Sequence, residues 1–292
     1  MKLFSDTQQD QQQKTVLITG CSTGIGYCAA QGLKQRGYRV IATARRNESV
    51  KQLINEGFES LQLDLANSES IQQAFAEIKQ LTDGKLYALF NNGAFGLPAA
   101  VEDLTRDNLK HQFETNVFGW LELTNLVIPL MRKQGFGRII QNSSVLGFVA
   151  MPYRGAYNAS KYAIEGLSDT LRLELKNTNI HISLIEPGPI SSRFRANAVK
   201  AMQQHIDIEN SVHQQKYLAV LERLNKKGPA VPFTLPPEAV LKRVISALES
   251  RRPEPRYYVT FPTYLFAFLK RILSHRQLDF FLAIAGSDRK NK

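Results

Sequence analysis

Thr15-Val16-Leu17-Ile18-Thr19-Gly20-Cys21-Ser22-Thr23-Gly24-Ile25-Gly26 decides how the rest of this 292-residue chain is read. A short apolar, β-branched run passes straight into a glycine-spaced loop, and a stretch with helical spacing follows. Glycines in that position let the backbone turn tightly and approach a pyrophosphate. Its negative charge then sits against free N–H groups at the positive end of the helix dipole. Gly20, Ser22, Thr23, Gly24, Ile25 and Gly26 are therefore candidate contacts to a dinucleotide. Three residues separate the first two glycines, whereas the tighter dinucleotide fingerprint has one between them.

Residues 38–43, 58–63, 86–90, 138–142 and 180–185 read as further strands, with helix-length segments between them. Near-continuous apolar strands separated by helices predict a doubly wound α/β fold: a parallel, Rossmann-like sheet with helices on both faces. The expected organisation is a disordered tail over 1–13 and a single domain over 14–292. Within that domain, 190–237 is polar, irregular and proline-punctuated, and reads as a mobile segment covering a substrate. A helix is expected from Pro237-Glu238 to Leu248, a last strand near 257–260, and a helical extension over 255–292.

The polar N-terminus lacks the apolar core of a secretory signal, and only two cysteines occur, Cys21 and Cys28. A reducing, cytoplasmic setting is the expectation. Lys270, Arg271, His275 and Arg276 interrupt the one long apolar stretch, so no membrane span is expected. The net charge of +11 is uneven: residues 1–192 hold 19 Lys/Arg against 18 Asp/Glu, and 193–292 hold 18 against 8. That basic end lacks a recognisable nucleic-acid module, so no nucleic-acid partner is expected, and no metal site is read.

Three strand ends carry chemistry. After the second strand the chain reads Thr43-Ala44-Arg45-Arg46, with no carboxylate where an NAD enzyme places one for the ribose hydroxyls. A guanidinium pairs a 2′-phosphate, so Arg45 and Arg46 favour NADP(H). Asp64-Leu65 and Asn91-Asn92-Gly93 fall at the next two strand ends, where ligands bind in such sheets. Tyr157 and Lys161 are four apart and share a helix face. An ammonium beside the phenol favours its anion, making Tyr157 a candidate general acid and base for a carbonyl/alcohol pair. Ser144, thirteen residues upstream, can hydrogen-bond the same oxygen.

Taken together, Thr19 to Gly26, Asp64-Leu65, Asn91 to Ala94, Asn116, Ser144, Tyr157/Lys161 and Pro187-Gly188 resemble the short-chain dehydrogenase/reductase family. The resemblance spans Lys14 to about Phe194. It implies that Asn116, Ser144, Tyr157 and Lys161 are catalytic and that Lys161 also holds the nicotinamide ribose. Asn116 would position a water in a proton relay. Pro187, Gly188, Ile190 and Ser192 join Asp64, Leu65, Asn91 and Gly93 as implied cofactor positions. Two departures stand out: Asn91-Asn92-Gly93-Ala94 replaces the family's Asn-Asn-Ala-Gly, and Ser192 replaces a threonine.

Within the family, Thr19 to Gly24, Ala44-Arg45 and Glu186 to Pro189 are similar to hydroxysteroid and retinol dehydrogenases and, more closely, to bacterial NADP-dependent aldehyde reductases. The resemblance thus implies NADP(H)-dependent interconversion of apolar carbonyls and alcohols. An NAD-linked alcohol dehydrogenase and a non-catalytic NADPH-binding regulator are the alternatives. Phe95, Leu97, Phe148, Val149, Met151 and Tyr153 are candidates for an apolar pocket. A homo-oligomer is implied through the helices bearing Asn116 and Tyr157. Finally, Phe261, Tyr264, Leu265, Phe268 and Ile272 recur at helical spacing beside Lys270 and Arg271. This stripe has three readings: an anionic membrane surface, a second subunit, or a cover over the substrate side, the last being the expectation.

Overall fold

The architecture follows from strands that are buried on both faces. A computed structural model describes residues 13–286 apart from 227, 229 and 230. Residues 1–12 of the expected tail and 287–292 of the extension lie outside the described residues. Seven strands, β1 (Thr15–Ile18), β2 (Arg39–Ala44), β3 (Glu59–Gln62), β4 (Ala88–Asn91), β5 (Gly137–Asn142), β6 (Ile180–Glu186) and β7 (Arg256–Tyr258), form one sheet. Its order is β3-β2-β1-β4-β5-β6-β7, and every pairing is parallel.

Alternation within β1 shows why the apolar run is unbroken. Val16 and Ile18 enter one core cluster with Val40, Ala42, Phe90 and Ile140. Leu17 points to the opposite face, where it meets Ile41, Leu89 and Ile139. Helices α1 (Gly24–Gln35) and α9 (Glu238–Glu249) cover the first face, and α2 (Asn47–Asn55) lies beside them. Helices α3 (Ser68–Leu81), α5 (Gly119–Gln134) and α6 (Gly155–Glu174) cover the second. Packing is close enough that a Cβ on Gly32 of α1 would stand 2.2 Å from Leu241 of α9. The doubly wound fold expected from the sequence is present, with strand ends within two residues of the expected ones.

β1 has β2 on one side and β4 on the other, so the chain leaves the middle of the sheet in opposite directions. A crevice opens at such a reversal, beyond the carboxyl ends of the two strands. The glycine loop after β1 and Asn91-Asn92-Gly93 after β4 both lie there.

The segment 190–237 departs from the expected irregular chain. It forms α7 (Phe194–His205) and α8 (Gln214–Asn225), and an isolated bridge joins Ile190 to Leu235. Ala201, Met202, Tyr217 and Val220 pack with Leu97 and Ala99. The buried Tyr217 hydroxyl donates to Asp103 and accepts the Ala100 N–H at 2.9 Å. Dense polar residues on the outer faces hid the helical period from the sequence reading. The last helices are α4 (Arg106–Phe113), α10 (Phe261–Ile272) and α11 (His275–Gly286). Among the described residues, no helix is long and apolar enough to cross a membrane.

Candidate active site

The glycine loop is held open by backbone contacts that only glycine allows. Gly20 and Gly24 have φ of +72° and +63°, a region costly for residues with a Cβ. A Cβ on Gly20 would lie 2.6 Å from Gly93 Cα, and one on Gly26 would lie 2.4 Å from the Gly20 carbonyl oxygen. Thr19 fastens this loop to the next: its hydroxyl accepts the N–H groups of Asn92 and Gly93, both at 2.9 Å. Thr23, the N-cap of α1, makes no side-chain capping bond, and the first turn has no acidic residue. The leading N–H groups of α1 thus face the crevice as an anion site. Ser22 is exposed at the loop tip, and Ile25 packs on the core.

Around the loop, the other sequence-derived cofactor positions take distinct places. Arg45 and Arg46 are exposed where β2 meets α2, and no ion pair engages either guanidinium among the described residues. Asp64 Oδ1 accepts the Ala66 N–H at 3.0 Å, and Leu65 is buried against α5. A Cβ on Gly119 would reach within 2.0 Å of the Leu65 carbonyl oxygen, so α5 starts hard against this turn. Asn91 turns its carboxamide into the core, donating to Thr124 at 3.0 Å. The adjacent Asn92 instead reaches the glycine loop, donating to the Thr19 oxygen at 2.9 Å and the Gly20 oxygen at 3.3 Å. Gly93 accepts the Trp120 indole N–H at 2.7 Å. Pro187 and Gly188 follow β6, with the Val145 N–H on the Pro187 oxygen at 2.8 Å; Ile190 packs on the core, and Ser192 faces Gly24. Open glycines, unspent helix N–H groups and free arginines together fit a nicotinamide dinucleotide.

The catalytic candidates converge one turn beyond β5. Asn142 ends β5, Ser144 follows it, and α6 brings Tyr157 and Lys161 onto one face. Lys161 is buried, its Nζ 2.7 Å from the Asn142 oxygen, 4.4 Å from the Trp120 ring centre and 5.6 Å from that of Tyr157. Burial pushes its ammonium down to about 7, opposed by the charge of Glu165 one turn on. The half-buried Tyr157 packs edge-on to Phe194, with ring centres 5.4 Å apart. Burial pushes the phenol up to about 12, while the nearby Ser144 hydroxyl and the charge of Arg154 pull it back. The expected lowering of the phenol by Lys161 is not the balance found here: desolvation dominates both groups.

Asn116 lies in a π-type turn, Glu114–Phe118, between α4 and α5. Such turns break the regular helical ladder and recur at functional sites. Its side chain accepts the Phe95 N–H at 3.1 Å and donates to the Phe95 oxygen at 2.9 Å and Ser160 at 3.1 Å. It therefore braces the loop after β4 against α6. Of the pocket candidates, Leu97 and Val149 are core residues; Phe95, Phe148, Met151 and Tyr153 remain half-buried. Tyr153 holds φ +59° in the turn into α6, a strained conformation for an aromatic residue.

The family described as short chain dehydrogenase matches residues 14–203. The chain belongs to this family. This short-chain dehydrogenase is 42% identical over 267 residues to the uncharacterized oxidoreductase YbbO of Escherichia coli K12, covering 91% of the chain and 93% of the relative. Two solved folds superpose well. A Burkholderia cenocepacia short chain dehydrogenase in complex with NADP gives a TM-score of 0.72 at 20% identity, with coverage of 92% and 97%. A Burkholderia phymatum short chain dehydrogenase/reductase in complex with NAD gives 0.73 at 24%, with coverage of 92% and 95%. The chain is thus an oxidoreductase of a family whose structural neighbours carry one or other nicotinamide dinucleotide.

Beside α6 lies a charged cluster that sequence reading missed, because its members are far apart in the chain. Arg256 of β7 meets Asp169 at 2.6 Å, Glu186 at 3.1 Å and Glu165 at 3.2 Å. One guanidinium faces three carboxylates. Burial, reinforced by Glu165, holds the fully buried Glu186 carboxyl well above its ordinary value of 4.5. A carboxyl with a raised folded-state value binds more protons folded than unfolded, so its contribution to stability is complete below 4.5 and lost as pH rises through the raised value. Glu186→Gln is expected to flatten the fall in Tm between roughly pH 5 and pH 8. Thermal melts across that range check this; parallel Tm profiles for the two proteins would refute it.

Proposed function

We propose that the protein reduces apolar aldehydes or ketones to alcohols with NADPH. The observation that carries this reading is the convergence of a buried Lys161, a half-buried Tyr157 and Ser144 beside an anion-binding glycine loop. The nicotinamide, when bound, supplies hydride to the carbonyl carbon. Tyr157, whose phenol is protonated at neutral pH, gives its proton to the carbonyl oxygen as charge develops there. Ser144, just past the end of β5 beside Tyr157, is placed to stabilise the same oxygen. Lys161, charged below about 7, favours the phenolate as the proton leaves and draws a replacement from solvent. Phe194, edge-on to Tyr157, and the half-buried Phe148 and Met151 of the same cluster support an apolar substrate.

The preference for NADPH rests on Arg45 and Arg46, whose unengaged guanidinium groups suit a 2′-phosphate. A charge-assisted hydrogen bond contributes about 1.5–3 kcal/mol, or roughly 10- to 100-fold in affinity. Arg45→Asp is therefore expected to lower the NADPH-to-NADH ratio of kcat/KM by about that factor. Steady-state rates with both cofactors measure it. An unchanged ratio, or native protein that already prefers NADH, would favour the NAD-linked reading instead.

A further inference from the structure

We propose that the outer face of α10 and α11 docks on an anionic lipid bilayer surface. The two helices form a roof beside the catalytic loop. Phe266 and Leu269 of α10, with Leu278 and Leu282 of α11, pack inward on Val145, Leu146 and Val149, in the cluster that includes Tyr157. With that inner face satisfied, the helices still leave large apolar side chains in solvent. Phe268 and Ile272 of α10 are 59% and 58% exposed, and Phe280 of α11 is 64% exposed. Phe261 joins them next to Phe233, its ring centre 5.1 Å away. A helix apolar on both sides exposes far more hydrocarbon than folding requires, and aromatic residues suit the interface of a bilayer.

Charge selects lipid over a second copy of the chain. Arg271 and Arg276 stand among these apolar residues against a single acid, Asp279, while Lys270 donates to the Phe148 oxygen at 2.6 Å. No ion pair holds Arg271 or Arg276 among the described residues. Two copies meeting through this face would set like charges together, whereas anionic headgroups attract each base. Self-association also has other apolar surface available in Phe118, Leu121 and Leu167, on the α5 and α6 side. A bilayer contact here would lay the substrate side against lipid, although the docking itself does not depend on which reaction the site performs.

Cosedimentation of the full chain with vesicles of equal parts phosphatidylglycerol and phosphatidylcholine tests this at low and high salt, with pure phosphatidylcholine as the neutral control. The native protein is expected to pellet with anionic vesicles at low salt and to be released by high salt. Phe268→Ser/Phe280→Ser and, separately, Arg271→Gln/Arg276→Gln are each expected to weaken partitioning about tenfold or more. NADPH titration of each variant confirms that it is folded, and the two pairs guard against a loss that is only misfolding. Native protein that stays in the supernatant at low salt overturns the proposal. So does unchanged pelleting of both folded variants, or a dimer in sedimentation velocity that the Phe pair abolishes without any vesicle binding.

Discussion

Tyr157→Phe is expected to lower kcat for carbonyl reduction by about 10²–10⁴-fold while leaving NADPH affinity nearly unchanged. The change removes one oxygen and nothing that the ring packs on. The edge-on contact with Phe194 survives, and the first turns of α6 keep their place. What disappears is the hydroxyl proposed to donate the proton. Steady-state turnover with a fluorescence titration of NADPH separates the two effects. Loss of turnover with binding intact is the predicted pattern; near-native turnover would show that another group supplies the proton.

Lys161→Met carries the second large effect. Methionine fills a similar volume, and a buried ammonium held near 7 is costly to keep charged, so the variant should fold at least as well. The sign of the pH dependence can be worked out from the two groups. Burial keeps the Tyr157 phenol protonated through the neutral range, so its own titration does not limit reduction there. Lys161 loses its charge as pH rises through about 7, and with it the support for a developing phenolate. Native kcat for reduction is therefore expected to fall as pH rises past that value. In Lys161→Met, kcat should drop by about 10²–10³-fold and the fall near 7 should vanish. A pH–rate profile of both proteins checks this; an unchanged profile in the variant would remove Lys161 from the proton balance.

Much of this site could be read before the structure because its requirements are local. Gly20, Gly24 and Gly26 sit where positive φ or a close backbone approach excludes a Cβ, and Tyr157 and Lys161 meet through helical geometry alone. The parallel sheet was legible for the same reason: Val16, Leu17 and Ile18 must be apolar when both sheet faces are covered. Contacts made across the sheet were not legible. The Asn142 carbonyl and Trp120 ring that hold Lys161 come from β5 and α5, and no spacing relates them to position 161. Asn92 rather than Asn91 reaches the glycine loop, because strand alternation turns Asn91 toward Thr124. In 190–237, prolines near the end of the segment obscure the buried stripe Ala198, Ala201 and Met202 of α7. Arg256 and its three carboxylates come from β6, α6 and β7, a meeting that only the fold creates.

On the proposed reading, Tyr157, Ser144 and Lys161 polarise and protonate an apolar carbonyl that takes its hydride from NADPH. The most direct measurement incubates the protein with an apolar aldehyde and NADPH deuterated at both C4 positions of the nicotinamide, then weighs the product by mass spectrometry. An alcohol carrying one deuterium on its carbinol carbon is expected, formed in step with NADPH consumption and lost with Tyr157→Phe. Measurable NADPH binding without any deuterated alcohol, across aliphatic, aromatic, retinoid and steroid carbonyls, would contradict it and point to a cofactor-binding regulator.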